Sequence, residues 1–226
     1  MNRNNRFDKY KISKSSTNKV VLNLYLDSFS IEKVRLQAAK YDKSLPMAQR
    51  SVSCYLEFEE AVTLAEDCKS GRIFEKVMKA GDKGYIISRG GSTKSKRYDN
   101  HIESRIIKLT MSGDKLFVNL SLGKGKTSDT GAIMPDGKPD VMIGVPVEPA
   151  KFRSAMIMVD RHIQAYLVSL TNKLVKESIA EREAGKNTEE ELEDAPSEGT
   201  VISLEDEAPV EEDGPVEVTA DDEDSF

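Results

Sequence analysis

The sequence predicts an α+β protein, in which an antiparallel β-sheet is followed by a long C-terminal amphipathic helix and then by a disordered acidic tail. Three observations support this class. Several runs alternate between apolar and polar residues with a period of two, which is typical of half-buried strands. A helical pattern begins at Pro149, and residues 179–226 are strongly acidic. The same strands could instead form an OB-fold barrel, which is the alternative architecture.

The N-terminal part contains two predicted strands. Residues 1–19 are polar and basic and predict a flexible arm, which is either a plain disordered start or a source of extra phosphate contacts. Residues 20–26 and 51–58 alternate as strands do. Between them we expect a short helix that Ser28 or Ser30 caps and that extends to about Tyr41.

A helical region is predicted over residues 59–79, with an interruption at Ser70-Gly71. Its apolar stripe has helical spacing and consists of Ala61, Leu64, Ala65 and Cys68. Cys68 is therefore expected in the core. Residues 84–89 predict a short strand, and residues 90–98 predict a basic loop.

The most regular stretch is 105–122, where two alternating runs flank Gly113-Asp114. This dipeptide predicts a two-residue hairpin turn, because Gly accepts the positive φ of such a turn. Outward pairing gives one apolar face, with Met111 opposite Leu116, Leu109 opposite Val118 and Ile107 opposite Leu120. The other face is polar and basic, and it consists of Lys108, Thr110, Ser112, Lys115, Phe117, Asn119 and Ser121.

The last folded elements are a strand and a helix. Residues 123–139 predict a second basic loop, and residues 140–147 predict a strand. A long amphipathic helix is expected from Pro149 to about Glu177, because apolar residues recur every three or four positions.

This helix also predicts an oligomer. At 1.5 Å per residue it would be roughly 40 Å long, which is more than one small sheet needs for cover. Its distal part carries Leu167, Leu170 and Leu174, which we expect to pack against a second copy in a homodimer.

Charge is distributed unevenly along the chain, whose net charge is −6. Residues 179–226 contain 2 Lys and Arg against 19 Asp and Glu, a net charge of −17, whereas residues 1–178 contain 31 against 20, a net charge of +11. A basic body with an acidic tail favours binding to a polyanion. We therefore divide the chain into a basic flexible arm (1–19), a nucleic-acid-binding domain (20–178) and a disordered acidic tail (179–226).

Several other classes of function are disfavoured. No run approaches the ~20 apolar residues of a membrane span, and the first residues do not resemble a signal peptide, so we expect a cytoplasmic protein without a membrane partner. Gly125-Lys126-Thr127 lacks the upstream glycine of a phosphate-binding loop. His101 and His162 show no metal-ligand spacing, and the two cysteines are expected to be reduced and structural. We expect no enzymatic activity, no metal and no cofactor.

The most basic stretch lies between residues 83 and 126, where ten Lys and Arg face three Asp and Glu. Cations bind phosphates whatever the sequence, and aromatic rings stack on unpaired bases. The alternative is an ordinary solvated sheet face on which a loop covers Phe117. The candidate nucleic-acid-binding residues are Lys83, Tyr85, Arg89, Lys94, Lys96, Arg97, Tyr98, Arg105, Lys108, Lys115, Phe117, Lys124 and Lys126.

Two segments carry a resemblance to a known fold. The run Phe-Val-Asn-Leu-Ser, and the strand Val-Pro-Val that leads into a long helix, resemble the Whirly and transcriptional-coactivator type of single-stranded DNA-binding fold. The resemblance covers about residues 105–175 and implies a sheet-plus-helix domain that binds single-stranded DNA. The chain lacks the Lys-Gly-Lys-Ala signature of the plant members, so their oligomeric state is not carried over.

The end of the sequence carries a second resemblance. Its acidic, Phe-terminated segment is similar to the tails of bacterial and bacteriophage single-stranded DNA-binding proteins, which implies docking of replication, recombination and repair proteins. The tail residues concerned are Asp221, Asp222, Glu223, Asp224 and Phe226.

We therefore expect a sequence-tolerant single-stranded DNA-binding protein of bacteriophage type, which protects exposed strands in replication or recombination and recruits partners through its acidic tail. An RNA-binding or transcription-regulating protein on the same scaffold is the first alternative. An acidic adaptor protein is the second.

Overall fold

Antiparallel strands and helices alternate along the part of the chain that the structure describes. The computed structural model describes the backbone of residues 8–193, and the side chains of these residues except those of Asp8, Met47 and 183–193. The strands form two sheets. The predicted α+β class, with antiparallel strands and a long C-terminal helix, is confirmed. The described strands pair within two sheets, in contrast to the single barrel of the OB-fold alternative.

The first sheet is an antiparallel meander. It consists of β1 Lys11–Ser16, β2 Val20–Tyr25, β3 Lys33–Lys40 and β4 Ser51–Glu57, which pair in that order. The prediction of a strand over 51–58 is confirmed, because Val52, Cys54 and Leu56 of β4 are buried on one face. The short helix α1 Met47–Arg50 precedes β4.

Two predictions for this sheet are wrong. The helix expected through about Tyr41 is strand β3, in which Val34, Leu36 and Ala38 alternate into the core. Its Leu, Ala, Lys and Arg residues are good helix formers, but burial of this alternating face overrides that propensity. The flexible arm expected over 1–19 is wrong for Lys11–Ser16, which is the edge strand β1.

Two consecutive helices follow, α2 Phe58–Ser70 and α3 Arg72–Ala80. They confirm the predicted helical region and its interruption near Gly71. Glu57 and Glu60 form a capping box at the start of α2, which satisfies backbone donors of the first turn. The predicted stripe is buried, including Cys68. Burial raises the pKa of the Cys54 and Cys68 thiols to about 12, so both stay protonated at neutral pH.

The second sheet is built around a long hairpin. It consists of β5 Tyr85–Ser95, β6 His101–Ser112, β7 Lys115–Thr127, β8 Ile133–Pro135 and β9 Val141–Val147, and both β8 and β9 pair with β7. The hairpin prediction is confirmed in turn and register, since Leu109 pairs with Val118 and Gly113 has a φ of 60°. The inward face of β9 is buried as predicted.

The two basic loops predicted in this sheet are wrong, because strands β5 and β7 extend through much of them. Their glycines are compatible with close strand packing as well as with loops. A Cβ at Gly91 would lie 1.8 Å from the carbonyl oxygen of Glu103, and one at Gly125 would lie 2.9 Å from Ile102 Cγ2. Glycine in a strand therefore marks close backbone approach here.

The last element is α4 Pro149–Glu193, which begins where the sequence predicts. Its first half covers the core with Phe152, Met156, Val159 and Ile163. The helix continues beyond the expected end near Glu177, into a segment that is rich in Glu and contains Ala180 and Ala184, and both residue types favour helix. The prediction of a structureless tail from 179 therefore starts too early. Residues 194–226 lie outside the described residues.

One hydrophobic core connects both sheets with α2, α3 and the first half of α4. Three rings, Phe29, Phe58 and Tyr166, pack edge to face with centroids 4.8–5.9 Å apart. Because the core contains the inner faces of both sheets, the outer face of the second sheet lies outside the core. None of the described helices is long and apolar enough to cross a membrane.

Candidate nucleic-acid interface

The outer face of the second sheet forms a groove of about 340 Å³, which we call the sheet groove. Strand register brings its floor together in two rows. One row crosses the sheet through Ile86, Lys108 and Asn119, and the next contains Ile106, Ser121 and Met142. The floor is therefore part apolar and part polar.

Four lysines line the sheet groove: Lys83, Lys108, Lys124 and Lys138. The first three are among the predicted binding residues, and the fold brings them together from the turn before β5, from β6 and from β7. None of the four forms an ion pair with a described residue. None of the described lining residues is acidic. The groove thus combines uncompensated positive charge with an apolar floor.

Two close backbone approaches shape the groove. A Cβ at Gly123 would lie 3.0 Å from Pro139 Cα, so the segment 135–139 lies over β7 and forms one wall. A Cβ at Gly144 would lie 2.6 Å from Asn119 Oδ1, so this glycine makes room for the Asn119 side chain. Asn119 is held in place because its Nδ2 donates to Thr110 Oγ1 at 3.0 Å.

Ser104 lies at the bottom of the sheet groove and is only 3% exposed. Its Oγ has no hydrogen-bond partner within the described part of the chain. Buried hydroxyl groups nearly always have a partner, since leaving one unsatisfied costs about 1–3 kcal/mol. Ser104 is therefore an exception that calls for a physical account.

Phe117 lies on the same face as the groove, two residues along β7 from Asn119, and its side chain is half-buried. It pairs with Thr110 on one side and Pro146 on the other. The prediction that Phe117 shares a polar face with Lys108 is confirmed in register. Lys115, at the start of β7, is exposed and lies with Lys14 and Lys151 around a neighbouring depression. From Lys115 to Lys124 the strand spans about 30 Å.

Arg105 and Tyr85, two of the predicted binding residues outside the sheet groove, make contacts with the protein interior. Arg105 Nε donates to Glu103 Oε1 at 2.5 Å, and its Nη1 donates to the carbonyl oxygen of Ser53 at 2.7 Å. Arg105 therefore joins the two sheets. Tyr85 pairs with inward-facing Leu109 and packs against the core, with Lys76 Nζ 5.7 Å from its ring centroid. Neither side chain lines the sheet groove, and their assignment to the nucleic-acid face stays a prediction.

Two further predicted residues make contacts within the protein. Tyr98 donates its hydroxyl to Asp140 Oδ2 at 2.7 Å, and burial together with this bond raises the pKa of Tyr98 to about 12. Arg97 Nη2 donates to the carbonyl oxygen of Ala48. These hydrogen bonds attach the turn between β5 and β6 to Ala48 and Asp140.

The remaining predicted residues are exposed. Arg89 Nη1 lies 3.7 Å from Met134 Sδ, and Lys126 Nζ lies 3.9 Å from Asp136 Oδ1. Lys94 and Lys96 are exposed at the end of β5 and in the following turn. None of these four side chains lines the sheet groove. The predicted tail residues Asp221, Asp222, Glu223, Asp224 and Phe226 lie outside the described residues.

The groove residues that the predicted binding set did not include are among others Ser104, Lys138 and Met142. Met142 had a signal, because it points outward between the buried Val141 and Ile143 and is 54% exposed. Lys138 and Ser104 had none, since their proximity arises from the crossing of segment 135–139 over the sheet.

Two comparisons with known proteins give no indication of function, so the proposal below rests on the geometry of the site. No protein-family model matches the chain, and no curated protein sequence matches it.

Proposed function

We propose that this chain binds single-stranded DNA along the outer face of its second sheet, without strong sequence preference. The observation that carries the proposal is the sheet groove, where four lysines surround a partly apolar floor and Phe117 lies on the same face. Lysines attract phosphates of any sequence. An apolar floor and an aromatic ring suit unstacked bases, which a duplex keeps inside its stack.

The proposed role follows from this kind of binding. A protein that holds single strands through phosphates and stacking would coat strands exposed in replication or recombination. Its acidic C-terminal region, residues 179–226 with a net charge of −17, would then recruit basic surfaces of partner proteins. RNA binding or transcription regulation on the same scaffold uses the same groove chemistry, so the test below includes RNA.

We also propose that the chain forms a homodimer through α4. Beyond Tyr166 no described residue of the helix packs against the core, yet its apolar residues continue, with Leu167 37% and Leu174 55% exposed. Leu170 lies between them with the same three- to four-residue spacing, which is the spacing of a helix-pairing seam. A second copy offers a matching stripe, because an isologous contact pairs a surface with itself.

The decisive test is equilibrium binding of the full-length chain to single-stranded DNA, single-stranded RNA and duplex DNA of matched sequence at several salt concentrations. We expect single-stranded DNA to bind best and affinity to fall steeply with salt. Lys108→Ala should flatten the salt dependence of log K by about 0.7, the contribution of one phosphate contact on a single strand. Lys43→Ala, which removes an exposed lysine outside the groove, is the matched control. Equal binding to duplex, or a salt slope that Lys108→Ala leaves unchanged, would overturn the proposal.

A further inference from the structure

We propose that the sheet groove is a nucleobase pocket, into which one unstacked base of the bound strand enters and hydrogen-bonds to Ser104. This inference rests on the proposed function and adds to it the ligand group that the groove holds. In this arrangement two different contacts occur on one face. Phe117 stacks on a base at the surface, and another base enters the groove with its hydrogen-bonding edge first.

The first support is the unsatisfied hydroxyl of Ser104. Its Oγ is buried at the floor of the groove and has no partner among the described residues. Ser104 lines the same cavity as Lys83, Lys108, Lys124 and Lys138. A polar atom of a ligand in the groove would supply the missing hydrogen bond.

The second support is the match between the groove and the two chemical parts of a nucleotide. Ile86, Ile106 and Met142 present apolar surface to the flat faces of a base, and a Met thioether makes favourable contacts with aromatic rings. Lys108 lies on the floor, and Lys83, Lys124 and Lys138 also line the groove, so the phosphates on either side of an inserted base would meet positive charge. The volume of about 340 Å³ falls within the range of roughly 300–1,000 Å³ that is usual for small-ligand sites.

The polar groups of the floor fit a pocket that accepts more than one base. A serine hydroxyl both donates and accepts, and it rotates to suit its partner. Ser104 and Ser121 are two such groups on the groove floor. Asn119 contributes less, because its Nδ2 is already used by Thr110 and by the carbonyl oxygen of Phe117. Rotating hydroxyls satisfy the edge of any base, which agrees with binding that tolerates sequence.

The direct test is photo-crosslinking of the full-length chain to a single-stranded oligonucleotide that carries 5-iodouracil, followed by peptide mapping. We expect crosslinks in the peptides that contain Met142 and residues 104–108. Crosslinks that map only around Phe117, on an oligonucleotide that binds normally, would overturn the pocket and leave the proposed function standing. Failure of the oligonucleotide to bind at all would instead remove the proposed function, and the two failures are thus distinguishable.

A second measurement uses oligonucleotides with 2-aminopurine, whose fluorescence rises when the base leaves its stack. Ser104→Ala and Met142→Ala should each weaken binding about fivefold and reduce the fluorescence rise. Met78→Ala is the matched control, since Met78 is 63% exposed on α3 and does not line the groove. If Met142→Ala behaves as Met78→Ala does, the pocket inference is wrong.

A third arm separates a base within a strand from a free nucleotide. Deoxynucleoside monophosphates should compete with the oligonucleotide only at millimolar concentration, because a single phosphate can contact few of the lysines that line the groove. Competition at micromolar concentration would show that the groove is a site for free nucleotides and would overturn the assignment to a strand.

Discussion

Phe117 lies between Thr110 and Pro146 on the outer face of β7, where its ring is half-buried. Its neighbours along the strand on that face are Lys115 and Asn119. A ring in this position has enough support to keep its orientation and enough exposure to meet a ligand. We expect such a surface ring to contribute more to the proposed binding than to folding.

Replacing this ring tests that balance. Phe117→Ala should weaken single-strand binding by ~1–3 kcal/mol, because it removes one stacking platform. The melting temperature should change little. Tyr41→Ala, which removes a ring 50% exposed outside the sheet groove, should leave binding unchanged. A large loss of thermal stability with intact affinity would show that Phe117 belongs to the core.

Side-chain faces within the hairpin were predictable because a two-residue turn fixes the register and the period of two fixes the faces. Arg105 and Tyr85 show where this reasoning ends. Arg105 reaches the carbonyl oxygen of Ser53 on the other sheet, and Tyr85 pairs with Leu109 on the inner side. Both outcomes depend on long-range packing, for which a run of local residues carries no signal.

At the scale of elements, the entry into β5 depends on Gly84. Its φ is +69°, and a Cβ there would lie 2.8 Å from the carbonyl oxygen of Leu109 and 2.9 Å from Lys108 Cδ. The absence of a side chain therefore lets the turn after α3 pack against β6 next to a groove lysine.

Gly84→Ala should lower the free energy of unfolding by ~1–3 kcal/mol, because it combines a strained backbone with a backbone clash. It should also weaken DNA binding by displacing Lys108. Gly113→Ala is the matched control, since Gly113 has a φ of +60° with open space around its Cβ position. Chemical denaturation measures both variants, and equal losses would show that the clash at Gly84 contributes nothing.

The distal half of α4 gives a second test at this scale. Replacing both Leu170 and Leu174 with Glu should yield monomers, because charge would be placed in the apolar seam. Ser169→Glu with Asn172→Glu adds the same charge on the other side of the helix and should leave the dimer intact. Light scattering at micromolar concentration measures the mass, and a monomeric wild-type chain would rule out the dimer.

Element boundaries were less predictable than faces. Strand β3 was missed because its residues favour helix in isolation, and the decision comes from pairing with both β2 and β4. Strands β5 and β7 were cut short because glycine was read as a loop signal, whereas Gly91 and Gly125 allow two backbones to approach closely. In each case the prediction relied on local propensity, whereas tertiary packing determined the structure.

For the whole molecule, the charge asymmetry predicts competition between the tail and DNA. Residues 194–226 contain 13 Asp and Glu and no Lys or Arg, and they are tethered to a basic body. Covalent attachment gives one segment of a chain an effective concentration near another that can reach millimolar. Deleting 194–226 leaves the described helix complete and should raise affinity for single strands.

The increase should be largest at low salt, because screening weakens the attraction between tail and body. A chain in which every acidic residue of 194–226 is replaced by Gln or Asn is the control for length, and it should behave as the deletion does. If the full-length and shortened chains bind alike at low salt, the tail does not compete.

The order of strands in the second sheet has a consequence for biosynthesis. Sheet neighbours β5, β6 and β7 follow one another in the chain, so each strand can pair soon after it emerges from the ribosome. The sheet groove, however, takes Lys138 and Met142 from the segment made after this hairpin. A nascent chain therefore carries the positive charge of its hairpin before it has the wall that confines a base. We expect stalled chains that end between β7 and β9 to hold nucleic acid only loosely, and firm binding to arise once β9 has joined the sheet.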